Sequence, residues 1–265
     1  MNLNGEIIIL TGGAGFLGKH FSDLICNYGG TPIIIDKNLK AGSKLSKKLS
    51  KKYSRDIKSY CVDITNEDDI NLTFKDIIKK YSKIDSLVNN AAINPSADSV
   101  INKDYSLENF SINQFDKEIS VGLKGALICT KVFGKYFSKR KKGNIINISS
   151  DLGLIAPNQS IYIVNGKNRN VKPVTYSLIK FGIIGLTKYT STYWANKNVR
   201  CNAIAPGGVQ NNQDKKFLKK VSNLIPMGRL AKKEEVGNML IFLLSNLSTY
   251  VNGSIISVDG GRTAW

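Results

Sequence analysis

The stretch Glu6-Ile7-Ile8-Ile9-Leu10-Thr11-Gly12-Gly13-Ala14-Gly15-Phe16-Leu17-Gly18 decides the fold. Its first half is a short apolar run rich in β-branched residues, without the polar alternation of a half-exposed strand. Such a run reads as a strand buried on both faces, the mark of a parallel sheet between helices. It breaks directly into glycines and then into helix-forming sequence. Glycine permits a tight turn and a close backbone approach, and the helix that follows offers free N–H groups and its positive end to a phosphate. The next apolar run, Thr31-Pro32-Ile33-Ile34-Ile35, ends at Asp36, 18 positions after Gly18. An acid there can accept hydrogen bonds from a ribose and repels a 2′-phosphate. A glycine motif alone is weak; strand, glycines, helix, strand and terminal acid in register predict a dinucleotide site.

Outward from this unit, strand-like and helix-like segments alternate to the C-terminus. Lys58–Asp63 reads as a third strand, with Asp63 suited either to an adenine amino group or to a turn or helix N-cap. Helix-like Glu67–Tyr81 follows, then strand Ser86-Leu87-Val88 running into Asn89-Asn90-Ala91-Ala92. Residues 93–115 read as a polar loop and Asp116–Arg140 as one helix, whose Gly122, Gly125 and Gly134 permit close packing on a neighbour. Asn144–Ser150 is a fifth strand, and Asp151–Lys172 is irregular. A long helix begins at Tyr176, strand Val199–Ala205 leads into Pro206-Gly207-Gly208, and helices at Gln213–Asn223 and Glu234–Ser245 precede a last strand, Gly253–Val258. With no linker and no internal repeat, residues 1–265 predict one doubly wound α/β domain of three layers around a parallel sheet.

Composition narrows the class. The chain has 265 residues, 42% hydrophobic and 22% charged, which is ordinary for a globular protein with a buried core. No apolar run approaches the ~18 residues of a membrane span. The start has neither a basic n-region nor a cleavage site, so no signal peptide is expected. Cys26, Cys61, Cys129 and Cys201 are scattered without metal-ligand spacing, so a cytoplasmic setting and no metal site are expected. The net charge of +18 raises a nucleic-acid partner, but the lysines are interleaved with Ser, Asn and Asp on outer helix faces and predict a solvated surface instead. His20, the single histidine, has no evident partner and reads as a packed helix residue.

Tyr176 and Lys180 stand four apart on a predicted helix and project from one face. A phenol with an ordinary pKa near ~10 is a poor acid at neutral pH, and a cation held close favours the phenolate and lowers that pKa. On its own such a pair is commonly a packed ring beside a solvated charge.

Taken together, the Gly12–Gly18 loop, Asp63, Asn89-Asn90-Ala91-Ala92, Ser150, Tyr176-x-x-x-Lys180, Pro206-Gly207 and Val258-Asp259-Gly260-Gly261 resemble the single-domain branch of the short-chain dehydrogenase/reductase family over nearly the whole chain. The resemblance implies a Rossmann-type sheet of about seven strands and a homo-oligomer, tetramer or dimer. It implies an oxidoreductase that interconverts a secondary alcohol and a ketone with a nicotinamide cofactor, NAD by Asp36, with NADP left open by Lys37. Tyr176 would exchange the proton, Lys180 would lower its pKa and hold the nicotinamide ribose, and Ser150 would bond the reacting oxygen, with Ser149 as the rival serine. Cofactor contacts are implied for Gly12, Gly15, Phe16, Leu17, Asp36, Asp63, Ile64, Asn90, Ala91, Tyr176, Lys180, Pro206, Gly207 and Val209.

Four departures from the family pattern are visible. The middle glycine is Gly15, followed by Phe16, a spacing like that of the longer, sugar-nucleotide-modifying branch; a nucleotide-sugar epimerase or dehydratase is therefore the alternative enzyme, against which the missing second domain argues. Gly122 stands where the family supplies an asparagine to a proton relay. Asn211 replaces a common threonine. Ser150 and Tyr176 are separated by 25 residues, and the surplus, 158–173 with Tyr162, Lys167, Arg169 and Lys172, is the expected specificity element or else a surface bulge. Gly122, the insertion and the ending Gly260–Trp265 resemble a subgroup found with bacterial surface-glycan and nonulosonate sugar pathways, which implies a polar, sugar-derived substrate. A non-enzymatic dinucleotide-sensing or nucleic-acid-binding protein is the remaining alternative, one with no use for Ser150, Tyr176 and Lys180 together.

Overall fold

The computed structural model describes residues 1–93, 105–162 and 171–265. Seven strands form one parallel sheet in the order β3-β2-β1-β4-β5-β6-β7. They are β1 (Ile7–Thr11), β2 (Thr31–Asp36), β3 (Ser59–Cys61), β4 (Ser86–Asn89), β5 (Gly143–Ile148), β6 (Val199–Pro206) and β7 (Ile255–Val258). The helices are α1 (Phe16–Asn27), α2 (Leu39–Tyr53), α3 (Glu67–Tyr81), α4 (Ile112–Ile119), α5 (Gly125–Arg140), α6 (Val174–Tyr193), α7 (Lys215–Ser222) and α8 (Lys233–Leu244).

The period of two along β1 divides the core. Ile7 and Ile9 face one layer, with Ile70 and Ile77 of α3 and Phe133 and Phe137 of α5. Ile8 and Leu10 face the other, with Phe21 and Ile25 of α1 and Leu240 and Leu244 of α8. Each face is thereby closed by helices, which is why β1 carries no polar side chain until Thr11. Ile8, Ile9 and Leu10 are fully buried, each contributing roughly 1.5–3 kcal/mol.

The strand order reverses between β1 and β4, and a crevice opens there at the carboxyl ends of the strands. Local sequence fixes the loop that lines it. Gly12 adopts φ +62°, and a Cβ there would lie 2.8 Å from the Cα of Ala91. A Cβ on Gly18 would meet the Gly12 carbonyl at 2.1 Å, so glycine lets α1 press onto the loop. Asn90 donates from Nδ2 to the carbonyls of Thr11 and Gly12, at 3.0 and 3.1 Å, tying the end of β4 to the loop.

Several boundaries differ from the sequence reading. Strand β3 spans only Ser59–Cys61, because Asp63 turns the chain, accepting at Oδ1 from the N–H and hydroxyl of Thr65. Asn66, not Asp63, caps α3. The helix expected over 116–140 starts earlier, at Ile112, and is broken by a π-helical turn, Ser120–Lys124. Gly122 lies in that turn against α6, where a Cβ would approach Ile179 Cδ1 and Cγ2 at 2.8 Å. The other glycines admit bulk in the same way: Gly125 faces Ile64 and Gly134 faces the Trp194 ring. Helix α6 starts at Val174, so Tyr176 is its third residue rather than its first. Part of the loop expected over 93–115 lies outside the described residues.

Candidate active site

Ser150, Tyr176 and Lys180 converge at the carboxyl end of β5. Ser150 lies two residues past the end of that strand at Ile148, is 5% exposed, and accepts at Oγ from the N–H of Leu152 at 3.2 Å. Its hydroxyl donates to Asp151 Oδ1 at 2.7 Å and is within hydrogen-bonding reach of the Tyr176 phenol. Ser149 is turned away: its Oγ donates to the carbonyl of Lys180 at 2.8 Å. Of the two serines, only Ser150 presents its hydroxyl to the tyrosine.

Lys180 is 6% exposed and donates from Nζ to the carbonyl of Ile148 at 2.8 Å. That bond anchors it beneath the end of β5, with its ammonium 5.7 Å from the centroid of the Tyr176 ring. Burial, reinforced by the ammonium of Lys172, presses its pKa down to about 8. The expected lowering of the Tyr176 pKa by Lys180 does not hold for the chain alone. Burial instead raises the phenol above its ordinary value; the bond from Ser150 pulls the other way, and the charge of Asp151 adds to the rise. Removing water disfavours the phenolate more than a cation at this separation favours it. Tyr176 is therefore a protonated phenol at neutral pH.

Two charged residues not singled out in the sequence complete the walls. Asp151 and Arg262, with side chains 3% and 8% exposed, meet at 3.0 Å between Oδ2 and Nη1, an ionic contact rather than an aligned hydrogen bond. Burial raises the Asp151 pKa, while the Ser150 hydroxyl and Arg262 partly offset the rise. Glu118, buried at the end of α4, accepts from the hydroxyl of Thr175, the residue before Tyr176, and from Gln114 Nε2 at 2.5 Å. An acid directly after a strand-end serine was the visible signal for Asp151. Nothing local distinguished Glu118 from the other charges of its helix.

The insertion docks on the fold. Ile161 packs with Val221, Ile225 and Leu230, and the rings of Tyr162 and Phe217 lie 5.7 Å apart. Burial pushes the Tyr162 phenol up to about 12. Gln159 bridges the two described ends of the insertion, accepting at Oε1 from the Lys172 N–H at 2.9 Å and donating from Nε2 to the Lys172 carbonyl at 3.3 Å. Lys167 and Arg169 lie outside the described residues. Asn211 is exposed, its N–H donating to Gln213 Oε1.

The crevice also fits a nicotinamide dinucleotide. The N-terminus of α1 has no side-chain cap at Gly15, so its first N–H groups remain for a phosphate beside Phe16 and Leu17. Asp36 sits where a ribose would lie, its carboxylate accepting from the N–H groups of Ala14 and Asn38 at 3.0 and 2.9 Å. Asp63 lies in the turn after β3, and Ile64 beside it is buried in the core layer of α3 and α5. Ala91 lies under Gly12, and Pro206 ends β6. Gly207 packs against the backbone of Asp259, and Val209 bridges to Ala231. His20 is a packed helix residue whose pKa is lowered by burial, with Nε2 beside Gly237. No cluster of three metal-binding side chains occurs among the described residues. Nor is any of their helices long and apolar enough to cross a membrane.

A parallel sheet reversing at β1/β4, a phosphate-ready helix and a serine–tyrosine–lysine convergence define a nucleotide-dependent oxidoreductase of the Rossmann class. The family model described as enoyl-(acyl carrier protein) reductase matches residues 14–263, and the chain belongs to this family of short-chain dehydrogenases/reductases, NAD(P)-dependent oxidoreductases. It is 32% identical to the 3-oxoacyl-[acyl-carrier-protein] reductase of Thermotoga maritima, covering 98% of this chain and 99% of that one. It is 31% identical to the post-translational flagellin modification protein A of Campylobacter coli, covering 98% of both. Among solved structures, a short-chain dehydrogenase from Bacillus anthracis superposes with a TM-score of 0.83 at 26% identity, over 97% of this chain and 96% of that one. An NAD+-bound xylitol dehydrogenase shares the fold, with a TM-score of 0.86 at 22% identity over 98% and 100% of the two chains.

Proposed function

We propose that the protein interconverts a secondary alcohol and a ketone on a polar, sugar-derived substrate, with Tyr176 as the proton-transfer group and NAD as the preferred cofactor. The observation that carries the reading is the half-buried, protonated Tyr176 beside a serine hydroxyl that can turn toward a third oxygen. When bound, the nicotinamide supplies or accepts the hydride. In the reducing direction Tyr176 gives its phenolic proton to the carbonyl oxygen as the carbon gains hydride. The Ser150 hydroxyl swings its hydrogen from Asp151 Oδ1 to that oxygen, stabilising the charge that develops there. In the oxidising direction the same groups act in reverse, the phenolate accepting the alcohol proton. Lys180, fixed by Ile148, carries its charge to the ribose side of the site.

Asp36 supports NAD, because a carboxylate held at the end of β2 accepts ribose hydroxyls and repels a 2′-phosphate. The walls support a hydroxylated substrate over an acyl chain: Asp151, Lys172 and Tyr162 all place polar groups near Tyr176, with Arg262 paired to Asp151 behind them. The likeness to a flagellin modification protein supports the same class. A soluble homo-oligomer acting in the cytoplasm without nucleic acid completes the reading.

The test is a cofactor-reduction screen across sugars, sugar phosphates and nucleotide sugars, with a 3-oxoacyl thioester run in the opposite direction as the contrast. Tyr176→Phe should reduce turnover by about 10²–10⁴-fold or more, the range for one general acid. Full turnover in that variant would overturn the mechanism, and turnover confined to the thioester would overturn the substrate class.

A further inference from the structure

We propose that Lys172 is a second cation of the acid–base centre, seated on the face of the Tyr176 ring and acting through that ring on the proton Tyr176 carries. Its Nζ lies 3.7 Å from the ring centroid, nearer than the 5.7 Å of Lys180. The placement is built. The Lys172 backbone is held at both polar groups by the Gln159 amide, and Pro173 and the first turn of α6 follow immediately. Lys172 and the phenol it covers are thus carried on one short, braced piece of chain.

Among the described residues, the charges acting on or beside Lys172 come from several elements. Asp151, after β5, and Glu118, at the end of α4, both favour its charged form. Lys180, one helical turn beyond Tyr176, opposes it. Arg262, from the loop after β7, acts on Asp151 and Tyr162. Burial dominates the balance and presses Lys172 down to about 8. At neutral pH the ammonium therefore carries its charge, and Tyr176 keeps its proton.

When Tyr176 gives that proton to a substrate oxygen, a phenolate is left beside an ammonium. A cation within ~4–6 Å of an acid favours the ionised form by about 1–3 pH units, so Lys172 eases the donation and holds the product of it. As pH rises the two titrate in sequence, Lys172 first and the phenol after it. Lys172 is in this sense a positioning residue: it touches the acid rather than the reacting carbon. The sequence departs from its family at Gly122 and in the insertion, and the insertion is the departure that brings a charge to the phenol.

The inference rests on Tyr176 as the proton donor, yet its test needs no turnover. The chain contains 11 tyrosines, so protein labelled with ¹³C at tyrosine Cζ is titrated by NMR, with the Tyr176→Phe spectrum assigning the signal. In the wild type the Tyr176 signal should respond near the Lys172 titration, about 8. In Lys172→Met that response should shrink to the part contributed by Lys180, which also titrates at about 8, and the phenolate step should stay in place because Lys172 is already neutral there. In Lys172→Arg, whose charge does not titrate in this range, the response should shrink likewise and the phenolate step should fall by about 1–3 pH units. A thermal melt shows whether each variant is folded; if Lys172→Met is not, the arginine variant decides. An unchanged Tyr176 titration in a folded Lys172→Met protein, or a phenolate step that does not fall in Lys172→Arg, overturns the proposal. Failure of the oxidoreductase reading would appear separately, as turnover that survives Tyr176→Phe.

Discussion

Replacing Arg262 by Met leaves Asp151 buried without its counter-ion, and the consequences can be worked from the geometry. At 3.0 Å the pair attracts by roughly 5 kcal/mol at an effective dielectric near 20. Desolvating both ions opposes that by several kcal/mol each, so the net contribution of the intact pair is small. The single variant is different, because the buried carboxylate then keeps only the Ser150 hydroxyl and Leu152 N–H on Oδ1 and the charge of Lys172, with nothing on Oδ2. A loss of about 3–5 kcal/mol in unfolding free energy is expected at pH 7. The sign of its pH dependence follows from Asp151, whose pKa in the fold is already raised by burial and rises further without Arg262. A raised carboxyl pKa means that the folded protein binds a proton before the unfolded chain does. The penalty is fully present above the folded pKa and shrinks as pH falls through it toward the unfolded value near ~3.9. Guanidinium denaturation of wild type and Arg262→Met between pH 7 and 4 measures both quantities, and Asp151→Leu with Arg262→Met closes a cycle. The double variant should recover on the order of 3 kcal/mol relative to the sum of the singles. A loss in Arg262→Met below about 1 kcal/mol, or one that stays constant with pH, would refute the account of this pair.

Two further outcomes follow from close contacts at the site. Gly122→Ala places a methyl 2.8 Å from two carbons of Ile179 and should cost about 1–3 kcal/mol by calorimetry; Ile179→Ala in the same chain should make the two changes less than additive. Asp36→Ala removes a charged acceptor and should weaken NADH binding about tenfold or more while leaving NADPH less affected, read by fluorescence titration. Tighter NADPH than NADH binding by the unaltered protein would contradict the role given to that carboxylate.

The sheet was legible because its information is local. Ile7–Leu10 needs no distant partner to announce a strand closed on both faces, and glycines at 12 and 18 announce their own close approaches. Ser150, Tyr176 and Lys180 were legible as residues. Their electrostatics were not, because the balance between burial and charge depends on packing: Lys180 points to Ile148, not only to the phenol. Asp151 and Arg262 come from distant segments, and no spacing rule links them. Lys172 was visible only as one of several cations in the insertion, and its seat on the ring depends on the amide of Gln159. The single helix expected over 116–140 failed for a different reason. Its apolar periodicity belongs to two helices, α4 and α5, and the junction carries no proline, only glycines that read equally well as close packing contacts.

That junction has a consequence for how the chain tolerates change. A π-helical turn holds one residue more than the α-helical turn it replaces, which rotates everything after it by about 100° relative to everything before. The slip in phase lets Glu118 reach Thr175 on one side of the turn while Gly125 meets Ile64 on the other. Deleting a single residue from Ser120–Lys124 would therefore leave a regular α-helical turn with the two ends still in step. A deletion there should be less damaging than one in the regular turns of α4 or α5, which would rotate Glu118 and Gly125 out of phase.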